Sequence, residues 1–187
     1  GATDMMRPKT RTRAVAPRAF HLVSLGCAKN GVDSDSMGQL LERAGYRLTD
    51  DPAGAGVLIV NTCGFIAAAR EESIAVLREL AAGKRPGQLL VAAGCLTQRH
   101  GAEVVRQVPG IDGVLGTRRW MDIVDVVRAL RAGPHPEPLY HLPEPADTAD
   151  AADVGRDDAG TRRVQCTGAS AYLKIADGCR RPCAFCA

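Results

Sequence analysis

Three short apolar runs stand out along the chain: Phe20 to Leu25 (FHLVSL), Val57 to Val60 (VLIV) and Leu89 to Ala92 (LLVA). Each is nearly continuous in apolar residues, as a parallel strand covered on both faces is, so each predicts a short buried strand. Segments of helical period separate and follow them. Met37, Leu40, Leu41 and Ala44 form one, with Asp33 to Asp35 as capping candidates and Gly45 as its stop. Ile74, Leu77 and Ala81 before Gly83 form a second. The third is Trp120, Ile123, Val124, Val127 and Leu130, with Thr117 as its N-cap, Arg128 and Arg131 in its last turn, and Gly133 and Pro134 beyond. The alternation predicts an α/β fold, a parallel sheet with flanking helices on both sides.

The pattern also divides the chain. Residues 1–19 are a basic arm without period, and 20–133 carry the strand and helix signals of one domain. Residues 134–169 are rich in Pro, Ala and Asp and have no sustained period, which reads as a linker. A strand-like run, Ala171 to Ala176 (AYLKIA), then opens a segment, 170–187, that ends at the loop DGCRRPCAFCA. A strand and a loop bury no core of their own, so this segment reads as the start of a second, truncated domain.

Composition narrows the class. The chain has 187 residues, 45% of them hydrophobic, and no apolar run near the roughly 20 residues a membrane span needs. The N-terminal arm lacks the apolar stretch and cleavage site of a secretory signal, which predicts a cytoplasmic protein without membrane attachment. A formal net charge of +3 is mild, and the basic residues of the arm read as a solvated tail. Seven cysteines in a non-secreted chain weigh more, because a reducing compartment shifts the expectation from disulfides to metal or catalytic thiols.

The cysteines fall into two groups. Cys27, Cys63 and Cys95 each follow an apolar strand by one to three residues (FHLVSLGC, VLIVNTC, LLVAAGC). Parallel strands in one sheet would bring the three to the carboxyl edge, where open α/β folds place ligands. Helices starting soon after each would turn their N-termini to the same spot and favour thiolates or an anionic cluster. Gly26, Gly64 and Gly94 beside them would let backbone approach a bulky ligand. The competing reading is three buried thiols acting as small hydrophobes at strand ends. Structural zinc closes its tetrahedron with four protein ligands, and no fourth is evident, whereas a four-iron cluster held by three cysteines keeps one iron open.

Cys179, Cys183 and Cys186 form a C-x3-C-x2-C loop directly after a strand. That spacing differs from ferredoxin runs and from paired zinc-ribbon motifs. Two alternatives stay open: a thioredoxin-like pair, Cys183 and Cys186, and a zinc site completed by Cys166, which otherwise reads as an incidental thiol at a linker edge.

The segment CRRPCAFC resembles the signature loop of the radical S-adenosylmethionine superfamily. The resemblance implies that Cys179, Cys183 and Cys186 hold a four-iron, four-sulfur (4Fe-4S) cluster whose fourth iron chelates S-adenosylmethionine, with Phe185 against its adenine. SLGCAKNGVDSD, NTCGFI and AAGCLTQR, with AYLKIADGCRRPCAFCA, are similar to the methylthiotransferase family, whose first domain carries a second three-cysteine cluster. For this chain that implies a second 4Fe-4S cluster on Cys27, Cys63 and Cys95, and Lys29 and Asn30 either neighbour it or cap the following helix. The C-A-K-N and N-T-C-G-F-I segments resemble the ribosomal branch, which methylthiolates the β-carbon of an aspartate in small-subunit ribosomal protein S12. The alternatives are the transfer-RNA branch, acting on a modified adenosine, and a zinc-binding interaction module. The resemblance further implies a monomer served by an electron donor such as flavodoxin or ferredoxin. It implies two uses of S-adenosylmethionine, one as methyl donor to a cluster-bound sulfur and one as radical source against an unactivated carbon–hydrogen bond. Because the barrel and the C-terminal domain of that family lie beyond Ala187, these residues alone are expected to be inactive.

Overall fold

The computed structural model describes residues 14–143 and 160–175. Strand β1 (Ala16–Ser24) leads into helix α1 (Ala28–Arg43), the two-residue strand β2 (Arg47–Leu48) and strand β3 (Ala55–Thr62). Helix α2 (Ala67–Ala82), strand β4 (Leu89–Gly94), helix α3 (Cys95–Gln107) and strand β5 (Gly113–Gly116) follow. A 3-10 turn (Thr117–Asp122) then feeds helix α4 (Ile123–Arg131) and strand β6 (Leu139–His141). Strands β7 (Val164–Thr167) and β8 (Ser170–Leu173) pair antiparallel as a separate hairpin.

The main sheet runs β2-β1-β3-β4-β5-β6, and every pairing in it is parallel. Its strand order reverses at β1, which lies between β2 and β3. That is the kind of switch point at which open α/β sheets leave a crevice at their carboxyl ends. All eight residues of β3 are buried, which is why its sequence is an unbroken apolar run before Asn61. Side chains alternate between the faces. Val57 and Ile59 join Phe20, Met37, Leu41 and Trp120 under α1 and α4, while Leu58 and Val60 join Ile74, Leu77, Leu96 and Val104 under α2 and α3. The expected α/β sheet with helices on both faces is therefore present. Among the described residues no helix is long and apolar enough to cross a membrane.

Several local expectations change. Helix α1 begins at Ala28, with Cys27 as N-cap, rather than at Asp33 to Asp35, because the polar residues of its first turns are buried and bonded instead of capping. Thr117 opens the 3-10 turn, and α4 starts only at Ile123, after a break at Arg119 (φ −120°, ψ 17°). Ordered sheet begins at Ala16, inside the segment assigned to the basic arm. The segment assigned to a linker supplies the edge strand β6, held to β5 by parallel pairing, and the strand β7. The strand expected over 171–176 forms as β8, paired to β7.

Central burial on both faces of β3 predicts that Leu58→Ala and Ile59→Ala each lower unfolding stability by about 2–5 kcal/mol. Urea denaturation measures both, and a sheet covered on one face only would leave one of the two substitutions nearly neutral.

Candidate functional site

The register of the central strands sets the site. Ser24 pairs with Asn61, and Thr62 pairs with Gly94, so the three strands end within one residue of one another. Cys27 follows β1 and caps α1, Cys63 directly follows β3, and Cys95 directly follows β4 as the first residue of α3. The structure thus brings Cys27, Cys63 and Cys95 to one edge of the sheet, with the N-termini of α1 and α3 opening there. Aligned peptide dipoles give those helix ends partial positive charge, which favours thiolates or an anionic group. Cys27 is exposed, Cys95 is half-buried and Cys63 is buried.

A bonded polar layer under the thiols fixes these strand ends. Asn30 in α1 donates through Nδ2 to the Leu25 carbonyl at 3.0 Å and the Thr62 carbonyl at 2.8 Å. Asn61 donates back through its Nδ2 to the Asn30 carbonyl and to Ser34 Oγ, both at 2.9 Å. Ser34 Oγ in turn donates to Ser24 Oγ at 2.8 Å. On the other side, Ser73 of α2 accepts from the Cys63 N–H at 3.0 Å, and Thr62 Oγ1 donates to the Ala93 carbonyl at 2.5 Å. Orphan carbonyls at the ends of parallel strands are thereby satisfied without water, which keeps the loops carrying the cysteines in one arrangement.

Two glycines make the approach of the loops possible. A Cβ at Gly26 (φ 86°) would overlap the Cys63 side chain, and one at Gly94 (φ 102°) would overlap Asn61 Oδ1 and the Thr62 carbonyl. Both positions lie in the backbone region that glycine alone enters cheaply.

Burial pushes the Cys95 thiol above its ordinary pKa, the charges of Cys63, Cys27 and Asp33 push it the same way, and a hydrogen bond with Thr117 opposes them. Cys95 Sγ also lies 3.7 Å from Asn30 Oδ1, to which the thiol donates. The three cysteines therefore stand within electrostatic reach of one another. Among the described residues, no three His, Cys, Asp or Glu side chains form a group that could hold a single metal ion as they stand. Three cysteine thiols at this edge are soft donors, of the kind that suit thiolate-bound iron–sulfur chemistry over a hard cation.

Sequence reading found the cysteines but missed their supports. Asn61, Thr62, Ser34, Asp33 and Ser73 are all buried. The available signal was polar residues at the end of an otherwise apolar strand, Asn61 and Thr62 after VLIV. Asn30 neither caps the helix nor sits loose beside it, but braces β1 to β3. Lys29 is exposed. Cys166 lies exposed in β7. Cys179, Cys183, Cys186 and Phe185 lie outside the described residues.

Gly94→Ala is expected to cost about 2–4 kcal/mol, from the forbidden backbone angle and the overlap with Asn61 and Thr62, as measured by chemical denaturation. In the metal-free protein, iodoacetamide near neutral pH is expected to modify exposed Cys27 ahead of Cys63 and Cys95. Cys95 should react slowly and gain rate as pH rises, because a raised pKa keeps it protonated until more alkaline conditions. Peptide mass spectrometry reads the order, and equal rates at Cys27 and Cys95 would contradict it.

A model of the family described as Uncharacterized protein family UPF0004 matches residues 19–116, which span β1 to β5 and all three strand-end cysteines. The chain is 47% identical over 178 residues to the protein named Ribosomal protein uS12 methylthiotransferase RimO of Roseiflexus sp. (strain RS-1), covering 89% of this chain and 37% of that protein. Proteins of the same name from Herpetosiphon aurantiacus and Symbiobacterium thermophilum are each 43% identical, over 89% and 91% of this chain and 39% and 33% of their own lengths. The chain thus spans between a third and two fifths of the length of these curated relatives. With the family model covering more than half of its residues, and its sheet and strand-end cysteines inside the match, the chain belongs to the UPF0004 family.

Proposed function

We propose that Cys27, Cys63 and Cys95 are the ligands of a 4Fe-4S cluster in a methylthiotransferase acting on an aspartate of small-subunit ribosomal protein S12. The observation that carries the cluster is the placement of three cysteines at the ends of three adjacent parallel strands, on the carboxyl edge of the sheet. The names of the relatives support the ribosomal substrate over transfer RNA. Bound there, the cluster would supply an open iron at which a sulfur can be carried for transfer.

The chain's own residues have definite parts in this. Cys27 would reach the cluster from the solvent side and Cys63 from the buried side, with Cys95 between them. Asn30, Asn61 and Ser34 keep the three loops at fixed separation whether or not the site is filled. The cost of deprotonating Cys95 would be met by the charge of the bound group and by the N-terminus of α3. Phe65 and Ile66, next to Cys63, are 61% and 57% exposed and present an apolar rim that would exclude water once a substrate loop covers the edge.

The second part of the proposal rests on sequence. Cys179, Cys183 and Cys186 would hold a second 4Fe-4S cluster that binds S-adenosylmethionine, with Phe185 against the adenine and an electron donor such as flavodoxin or ferredoxin supplying the reducing equivalent.

Anaerobic reconstitution with iron and sulfide tests both groups. The wild-type chain is expected to take up iron and sulfide in equal amounts with absorption near about 400 nm. Replacing Cys27, Cys63 and Cys95 together by serine should remove one cluster's share. Unchanged iron in that variant would contradict the cluster assignment.

A further inference from the structure

Strand β1 outruns its outer neighbour. Strand β2 pairs with it only at Ala19 and Phe20, whereas β1 continues to Ser24, and the sheet places no other strand on that side among the described residues. The Phe20 carbonyl faces the β2 side, accepting from the Thr49 N–H at 2.9 Å, while the Leu25 N–H faces β3 and donates to the Asn61 carbonyl at 3.0 Å. Backbone groups alternate in direction along a strand, so Leu22 and Ser24 turn their N–H and C=O to the unpaired side.

A groove of about 660 Å³ runs along this stretch. Its floor is Phe20, Leu22 and Ser24 of β1, one wall is α1, and the other is Arg162, Val164 and Cys166 of β7. Asp33, 4% exposed, seats the far wall on α1, since its carboxylate accepts from Arg163 Nη2 at 2.7 Å and from Lys174 Nζ at 2.8 Å. The groove reaches Ser24, three residues before Cys27, so it leads to the cysteine edge.

Two features fit the groove to a ligand. Gly38, in the middle of α1, lines it without a left-handed backbone angle, and a Cβ there would meet only Phe20 Cζ, at an ordinary 4.0 Å. Packing accounts for Gly31 of the same helix, where a Cβ would overlap the Gln165 side chain, but it does not account for Gly38. A mid-helix glycine weakens its helix, and what this one provides is open space in the groove. The second feature is charge. Asp35 and Glu42 line the α1 wall seven residues apart, roughly 10 Å along the axis, and neither carboxylate takes a hydrogen bond or salt bridge from a described residue. Arg162 attracts Asp35 from β7, yet burial keeps the Asp35 carboxyl above its ordinary pKa. With two carboxylates against one guanidinium, the groove carries net negative charge.

An open strand edge offers main-chain hydrogen bonds to an extended peptide, the apolar floor suits its alternate side chains, and the acidic wall suits basic ones. We propose that this groove binds an extended basic segment of a protein as an added strand along β1, delivering the chain next to that segment to the cysteine edge. Identifying that protein with the target of methylthiotransfer rests on the proposed function, whereas the binding itself does not.

Fluorescence anisotropy of the metal-free chain with a labelled hexapeptide of alternating valine and lysine tests it. The wild type is expected to bind this probe, and to bind the valine–glutamate counterpart about tenfold more weakly or worse. Asp35→Asn combined with Glu42→Gln should weaken the lysine probe about fivefold, a modest loss because exposed ion pairs contribute little. Gly38→Leu should weaken it about tenfold or more by filling the groove, while its urea midpoint stays at or above the wild-type value, which separates a blocked groove from a misfolded chain. Bound probe should slow alkylation of Cys166 about tenfold in the wild type and leave it unchanged in Gly38→Leu. N-methylation of alternate probe residues should weaken binding in one register and spare it in the other, because only one edge of an added strand faces β1. No binding of the lysine probe by the wild type, equal binding by Gly38→Leu, or equal loss from both N-methylated registers would overturn the proposal. Iron counts on the same protein are read separately: an iron-free wild type defeats the cluster reading and leaves these measurements standing.

Discussion

The nearly level ending of β1, β3 and β4 is the constraint on which the rest depends. In a parallel sheet every strand delivers its chain to the same edge, and the pairing of Ser24 with Asn61 and of Thr62 with Gly94 leaves a stagger of one residue between their ends. Three cysteines placed within three residues of those ends therefore lie at the same edge of the sheet. The pairing in turn depends on a core that covers β3 on both faces, so the register has no alternative that keeps Val57 and Ile59 on one side and Leu58 and Val60 on the other.

What the sheet edge leaves open, the polar layer closes. Strand ends present carbonyls with no further partner, and Asn30 and Asn61 satisfy them across β1 and β3 while tying α1 to both. The same helix continues into Asp33 and Ser36, which hold the hairpin. Helix α1 is thus a rigid rod with a thiol at its head, a brace in its first turn and an ion cluster in its second. The site and the hairpin thus make their contacts to one helix.

Burial decided how much of this was legible in the sequence. The three central strands were readable because cover on both faces demands continuous apolar runs, and the cysteines were readable because each follows such a run. Helix α1 was placed too late, since Asn30, Asp33, Ser34 and Ser36 are buried polar residues and break the apolar period that begins at Met37. Helix α3 has no clean period either: it departs from helical angles at His100, and Thr97 in its first turn is buried with its hydroxyl bonded toward the Gly94 and Leu115 carbonyls. Strands β2 and β6 lie at the edges with partly exposed residues, and β5 is two glycines around two apolar residues, so none carries a strand signature of its own. Part of the family resemblance came from the cysteine-bearing segments that lie at the sheet edge, and the rest from CRRPCAFC, outside the described residues.

The central claim is that Cys27, Cys63 and Cys95 act as one ligand set. A crystal structure of the anaerobically iron-loaded protein, with anomalous data collected across the iron absorption edge, tests it most directly. The account predicts a compact anomalous peak at the carboxyl edge of the sheet, within bonding distance of all three Sγ atoms and of no other protein ligand. Iron bound elsewhere, or a disulfide between any two of the three cysteines in the loaded protein, would contradict it.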